Sequence, residues 1–201
     1  MKDNSKQCNR QKAKILDNAR MLFWENGYDR TSMKDIARAC GFEPGNIYNY
    51  FNNKETLLYE VMKEDMDKLI SSVKHLERDN ILLPTEQLRS YFENTARCIL
   101  GPRRTSKLLT DVGLRDLTPA HRLKIIKLRD DYEMVLREVI RRGKESGDFA
   151  DVDEALACYF IVSMIIRARI WFSPRGRLTS DKVANLLFDF ALHGLRGDRK
   201  N

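Results

Sequence analysis

The sequence lacks the residue patterns that are typical of metal sites, disulfide-rich secreted domains and most enzymes. Its four Cys are scattered without a C-x-x-C pair and its three His are equally isolated, so the spacing predicts no metal site. No Ser-His-Asp set and no paired carboxylates stand out, which makes an enzyme the weakest hypothesis. We expect reduced thiols in a cytoplasmic protein that carries no cofactor.

A leader and a long hydrophobic run are also missing. The first residues, MKDNSKQCNRQKAK, are polar and hold no apolar core of a signal peptide. The longest apolar run, 155–172, is interrupted by Arg167 and Arg169 and is too short and too charged for a membrane span. The net charge of +7 over 201 residues fits an anionic partner but indicates no particular fold.

Apolar residues recur at helical spacing along most of the chain, which predicts an all-α fold. Residues 10–26 form the first helical pattern, and Gly27 is expected to end it. Thr31 or Ser32 can cap a second helix, and Asp35 completes a capping-box pattern with Ser32.

The stretch FEPGNIYNYF (42–51) follows a tight turn at Gly41 and predicts a second short helix that begins at Pro44. Two short helices joined in this way form a helix-turn-helix pattern. A helix that reaches the floor of the DNA major groove needs short hydrogen-bonding side chains and a small residue at the closest approach. The residues that meet this demand are Gly45, Asn46, Asn49 and Tyr50. Ile47 and Phe51 are expected to hold the opposite side on the preceding helices.

Residues 10–62 resemble the DNA-binding domain of the TetR family of transcriptional regulators. The resemblance is carried by A-x-x-x-F-x-x-x-G-Y at 19–28, T-S-M-x-x-I-A at 31–37 and G-F-x-P-G-x-I-Y-x-Y-F-x-x-K-E-x-L at 41–57. It implies contacts to DNA phosphates from Thr31, Ser32, Tyr48 and Lys54, and it aligns Gly45, Asn46, Asn49 and Tyr50 with groove-facing positions. Glu43 departs from the usual Ser or Thr, and Tyr50 from the frequent His.

The rest of the chain predicts further helices over 85–101, 103–113, 119–146, 151–172 and 179–196. The helix over 151–172 is apolar on most of its surface and therefore needs burial on more than one side. We predict a homodimer through the last two helices, which also lets two helix-turn-helix units read a palindromic operator. The family resemblance implies the same four-helix interface.

The predicted organisation has four parts. A disordered basic arm covers 1–9, the N-terminal three-helix helix-turn-helix domain covers 10–62, and a tail covers 197–201. Between them, 63–196 is expected to form one all-helical domain for ligand binding and dimerisation.

The stretch IWFSPRGRLTSDKVANLLFDFALHGL (170–195) resembles a subset of the same family that binds acyl-CoA thioesters. The resemblance implies that the CoA phosphates meet Arg167, Arg169, Arg175 and Arg177. It implies an acyl tunnel lined by Phe92, Leu109, Tyr132, Phe160 and Met164. Plain core packing is the alternative for each apolar residue, and an ion pair is the alternative for Arg167 and Arg169.

The resemblance implies a repressor that a small-molecule effector releases from DNA. A helix-turn-helix protein controlled by a protein partner is the main alternative, and activation in place of repression stays open.

Overall fold

The computed structural model describes residues 2–79, 81–101 and 111–197, and within these ranges it contains no β-strand. The predicted all-α class is confirmed. Its helices are α1 (Lys2–Asn26), α2 (Met33–Ala39), α3 (Lys54–Val73), α4 (Pro84–Leu100), α5 (Asp111–Arg115), α6 (Pro119–Ser146), α7 (Glu154–Trp171) and α8 (Ser180–Arg196). Two single turns of 3₁₀ helix are η1 (Asn46–Asn49) and η2 (Lys74–Glu77).

The chain forms two compact units. Unit 1 combines Met1–Met66 with Thr105–Lys127, and unit 2 combines Asp67–Arg104 with Leu128–Asn201. This division differs from the predicted boundary between 62 and 63, because α5 and the start of α6 belong to unit 1.

Local signals in unit 1 act as the sequence predicted. Ser32 and Asp35 form the capping box at the start of α2. Gly27 and Gly41 end their helices with φ of 85° and 68°, a left-handed conformation that glycine adopts without steric cost. Asn53 caps α3, since its side-chain oxygen accepts a hydrogen bond from the Thr56 N–H at 2.8 Å.

Two predictions about the lengths of helices in unit 1 were wrong. The second helix of the motif is only η1, closed by i→i+3 bonds such as Tyr50 N–H to the Ile47 carbonyl at 3.0 Å. Pro44 lacks an N–H and Gly45 is a weak helix former, so few α-helical bonds are available in this short segment. The first helix begins at Lys2, although 1–9 was expected to be a disordered arm. No Gly or Pro interrupts residues 2–26, so the helix extends without a new nucleation step.

A buried ion group joins α1 to α3 within unit 1. Arg20 Nε donates to Asp65 Oδ1 at 2.8 Å, and Arg20 Nη1 lies 2.7 Å from Asp17 Oδ1. Glu64 also accepts from Arg20. Asp65 is 1% exposed, so its charge needs partners inside the protein, and Arg20 is one of them.

In unit 2, α4 packs against α7 and α8. Phe92 of α4 meets Phe188 of α8 edge to face, with ring centroids 6.1 Å apart. Arg142 of α6 holds η2 in place, because its guanidinium donates to the carbonyl of Leu76 at 2.6 Å. Asp153 and Thr179 cap the N-termini of α7 and α8, because their side chains accept hydrogen bonds from backbone N–H groups of the first turn.

The outer faces of α7 and α8 carry large apolar side chains exposed in the single chain. This exposed apolar face consists of Leu156, Tyr159, Phe160, Ile170, Trp171, Leu186 and Phe190. A groove of about 620 Å³ runs along it and is lined mainly by residues of α7 and α8. Within the described ranges no helix is both long and apolar enough to cross a membrane.

Candidate nucleic-acid interface

η1 is mounted on unit 1 by two apolar anchors. Ile47 is fully buried and Phe51 is 2% exposed, as their four-residue spacing predicted. η1 closes with the Asn46 N–H donating to the Glu43 carbonyl at 2.9 Å. The side of η1 opposite Ile47 therefore faces solvent.

That solvent-facing side presents a polar row. Gly45, Asn46 and Asn49 are exposed, and Tyr48 is 52% exposed. Among the described residues, the side-chain amides of Asn46 and Asn49 have no hydrogen-bond partner. Both amides can therefore donate to and accept from a base edge without breaking an internal bond.

Tyr50 occupies a different position from its predicted neighbours. Its hydroxyl donates to the side-chain oxygen of Gln11 in α1, and its ring stacks on Phe42 with centroids 6.2 Å apart. Half-buried in this way, Tyr50 joins η1 to α1 instead of standing free beside Asn49. The partner Gln11 was missed by the sequence reasoning, since a lone Gln in a helix carries no signal of its own.

Thr31 and Ser32 are engaged inside unit 1. Thr31 is 1% exposed, and its hydroxyl donates to the Gly27 carbonyl at 2.8 Å. The predicted phosphate contact from the Thr31 side chain is therefore corrected to an internal bond that positions α2. Ser32 is exposed, and its hydroxyl donates to Asp35 Oδ2 at 2.6 Å. This bond, with one from the Ser32 N–H, lowers the pKa of Asp35.

Lys54 stands at the start of α3 beside Tyr28. Its Nζ donates to the Tyr28 carbonyl at 2.9 Å and lies 4.1 Å from the centre of the Tyr28 ring. Burial raises the pKa of Tyr28 to about 12, with further contributions from the carboxylates of Asp116, Glu55 and Asp29. One partner leaves donors on the ammonium group available, because a lysine has three of them.

Glu55 ties α3 to the start of α6 within unit 1. Its carboxylate accepts from the Thr118 N–H at 2.8 Å and lies 2.9 Å from His121 Nδ1. The His121 ring stacks on Tyr59 at 4.0 Å. Burial acts to raise the pKa of Glu55, but the bonds from Thr118 and His121 outweigh it and leave the pKa lowered. Sequence reasoning missed this cluster, because Glu55 and His121 lie far apart in the chain.

Within the part of the chain that the structure describes, the residues predicted to bind a ligand lie in different surroundings. Phe92 and Tyr132 are buried in the core of unit 2, where Tyr132 and Thr95 share a hydrogen bond of 2.8 Å. Phe160, Met164 and Arg167 line the groove on the exposed apolar face.

The remaining predicted ligand residues are also separated. Arg169 is 4% exposed, whereas Arg175 and Arg177 are exposed in the loop after α7. Leu109 lies outside the described residues. Phe160 is 56% exposed on the outer side of α7, because residues such as Cys158, Ile161 and Ile165 take the inner side. Its place in an acyl tunnel stays a prediction.

Unit 1 contains a short helix, a turn and the exposed polar η1, and the chain continues into an all-helical second unit. This arrangement is that of a helix-turn-helix DNA-binding protein. Residues 15–61 match the family model described as bacterial regulatory proteins, tetR family. Residues 82–195 match the model described as tetracyclin repressor-like, C-terminal domain. The chain belongs to the TetR family. It is a DNA-binding transcriptional regulator and not an enzyme.

Similar proteins cover nearly the whole chain. The crystal structure of the regulator PfmR from Thermus thermophilus is 35% identical, with 92% of this chain and 99% of that chain covered and a TM-score of 0.80. AibR, in complex with isovaleryl coenzyme A and operator DNA, is 26% identical, covers 90% of this chain and 97% of its own, and has a TM-score of 0.81. The transcriptional repressor KstR2 of Rhodococcus jostii is 25% identical over 92% of this chain and 90% of its own.

Proposed function

We propose that the protein is a homodimeric repressor that binds a palindromic operator in the cytoplasm and leaves it when a small-molecule effector binds. The observation that carries this proposal is the exposed polar row of Gly45, Asn46, Tyr48 and Asn49, held in place by buried Ile47 and Phe51. Asn46 and Asn49 make the base contacts, and Tyr48, Ser32 and Lys54 bind phosphates. Tyr50 supports η1 through Gln11.

The exposed apolar face of α7 and α8 supports dimerisation. Phe190 is 71% exposed and Phe160 is 56% exposed, and soluble proteins rarely leave a contiguous face of this kind in water. A second copy would cover the face and give the two-fold arrangement that a palindrome requires. Two half-sites read in successive major grooves lie about 34 Å apart.

An acyl-CoA thioester is the effector class we propose. Arg175 and Arg177 are exposed cations in the loop after α7 that can bind CoA phosphates, whereas Arg167 lines the groove on the face that a second copy would cover. AibR, similar over most of its length, forms a complex with isovaleryl coenzyme A. An effector that favours one state of the dimer lowers operator affinity by its differential affinity for the two states.

Selection from a library of random DNA duplexes tests whether Asn46 and Asn49 contact bases. Wild-type protein should enrich one palindrome, and Asn46→Ala or Asn49→Ala should relax the preference at a matched pair of positions. Each substitution should weaken binding by about 1–3 kcal/mol. Asn26→Ala, at an exposed Asn that ends α1, is the matched control and should retain the wild-type preference. An unchanged preference in both η1 variants would refute the assignment.

Titration of the labelled operator complex tests the effector class. Fluorescence anisotropy should fall as isovaleryl-CoA or longer acyl-CoA thioesters are added, and free CoA should have a much weaker effect. A complex that survives every thioester would refute this class and favour control by a protein partner.

A further inference from the structure

A row of cations runs along one side of α1, close to η1. Lys6, Arg10 and Lys14 are spaced four residues apart, and all three side chains are exposed. Residues at i, i+4 and i+8 of an α-helix lie along one side, with about 6 Å of rise between successive members. We refer to Lys6, Arg10 and Lys14 as the α1 basic row.

Acidic side chains do not neutralise the α1 basic row. Among the residues whose side chains the structure describes, no carboxylate lies within 4.0 Å of the charged groups of Lys6, Arg10 or Lys14. Asp17, the next acidic residue along α1, is already paired with Arg20 at 2.7 Å. The charges are therefore free to attract an anion outside the chain.

The α1 basic row lies close to η1, and contacts between side chains connect the two. Gln11, between Arg10 and Lys14, accepts the hydrogen bond from the Tyr50 hydroxyl. Lys14 Nζ lies 5.7 Å from the centre of the Phe42 ring, on which Tyr50 stacks. A groove of about 940 Å³ is lined by the three cations and Phe42, and also by Asp17, whose carboxylate is paired with Arg20. An anion bound here would lie next to whatever η1 contacts.

We propose that the α1 basic row binds backbone phosphates of the duplex outside the bases that η1 reads. This inference rests on the proposed function and extends it. The contacts add affinity without base preference, because phosphates are the same at every step of DNA. A helix that begins at Lys2, in place of a disordered arm, holds the three charges in fixed register for this role.

The salt dependence of DNA binding tests the proposal. The variant replaces all three residues, Lys6→Gln, Arg10→Gln and Lys14→Gln. A control with the same loss of charge replaces the exposed residues Lys74, Arg78 and Lys127 by Gln. Binding constants are measured across a series of salt concentrations, with the selected operator and with an unrelated duplex of equal length.

Each lost phosphate contact should reduce the slope of log K against log salt by about 0.9. The row variant should therefore lose about 3 from the slope for each bound protomer, and its affinity should fall by the same factor on both duplexes. The control should keep the wild-type slope. Circular dichroism spectra and melting temperatures establish that both variants fold.

A shortened operator provides a second measurement that a folding defect cannot mimic. When the flanking base pairs are removed, wild-type protein should show the reduced slope of the row variant on the full operator. A row variant with the wild-type slope on the full operator would overturn the inference alone. Wild-type protein that prefers no duplex at any salt concentration would overturn the proposed function, and the inference with it.

Discussion

Gly143, near the end of α6, leaves the space that Phe149 fills in the core of unit 2. A Cβ added at Gly143 would lie 2.1 Å from Phe149 Cδ2 and 2.3 Å from Cε2, far inside the usual carbon contact of about 3.5 Å. Phe149 is 4% exposed. Its N–H donates to the Gly143 carbonyl at 2.9 Å, so the backbone is held next to the helix and the ring has little freedom to move away.

Two opposing effects decide the sign of Gly143→Ala. Helix propensity favours Ala over Gly by up to about 1 kcal/mol. Overpacking a buried ring costs about 1–3 kcal/mol and occasionally more, and removal of a whole buried Phe side chain costs about 3–5 kcal/mol. Because the clash involves three ring atoms, we expect overpacking to prevail and the free energy of unfolding to fall by about 1–3 kcal/mol.

Thermal unfolding followed by circular dichroism at fixed protein concentration measures this effect. The Tm should fall by about 2–4 °C for each kcal/mol in a chain of this length. Phe149→Leu, alone and combined with Gly143→Ala, completes a double-mutant cycle in which the cost of the Ala should shrink. A Tm that rises in Gly143→Ala, or an equal cost in the Leu background, would refute the steric reasoning.

Three further predictions concern other parts of the molecule. Asp65→Asn should destabilise the protein by about 1–3 kcal/mol in chemical denaturation, because it removes the most buried of the three carboxylates around Arg20 and weakens a charged hydrogen bond; a loss below about 0.5 kcal/mol would contradict this. The pKa of Glu55 is lowered from its ordinary 4.5 in the folded protein, so its ionised contacts stabilise the fold above that pH and are lost as pH falls through the lower folded pKa. The stability difference between wild type and Glu55→Gln should therefore shrink as pH falls below 4.5, and a difference independent of pH would count against the bonds of the Glu55 carboxylate to Thr118 and His121. Phe190→Asp should give a monomer in sedimentation experiments with unchanged helix content, whereas a dimer of wild-type stability would argue against the α7–α8 interface.

The helix ends and the exposure of Asn46 and Asn49 could be predicted because their causes are local. Gly27, Gly41 and the Ser32–Asp35 box act over a few residues, and the structure places each at the predicted end. Ile47 and Asn46 point in different directions for the same reason, since successive residues of a 3₁₀ helix are about 120° apart around its axis. The length of η1 was overestimated because Pro44 and Gly45 weaken α-helical bonding there.

The buried side of α7 could not be predicted, because tertiary packing decides which side of this helix is inward. The residues of α7 are apolar on all sides of the helix, so its sequence does not indicate which of Phe160 and Ile161 faces inward. Only the packing of α7 in unit 2 turns Ile161 inward and leaves Phe160 exposed. Two hydrogen bonds are likewise contacts between residues far apart in the chain, so no local sequence pattern predicts them. One joins Tyr50 to Gln11 and the other joins Glu55 to His121.

Specific operator binding can be measured by sequencing the genomic DNA fragments that the purified protein retains at moderate salt. We expect one or a few enriched palindromic sites whose half-sites lie about one helical turn apart, and loss of this enrichment in Asn46→Ala. Recovery of fragments without any shared site, in equal amounts for wild type and Asn46→Ala, would contradict this expectation.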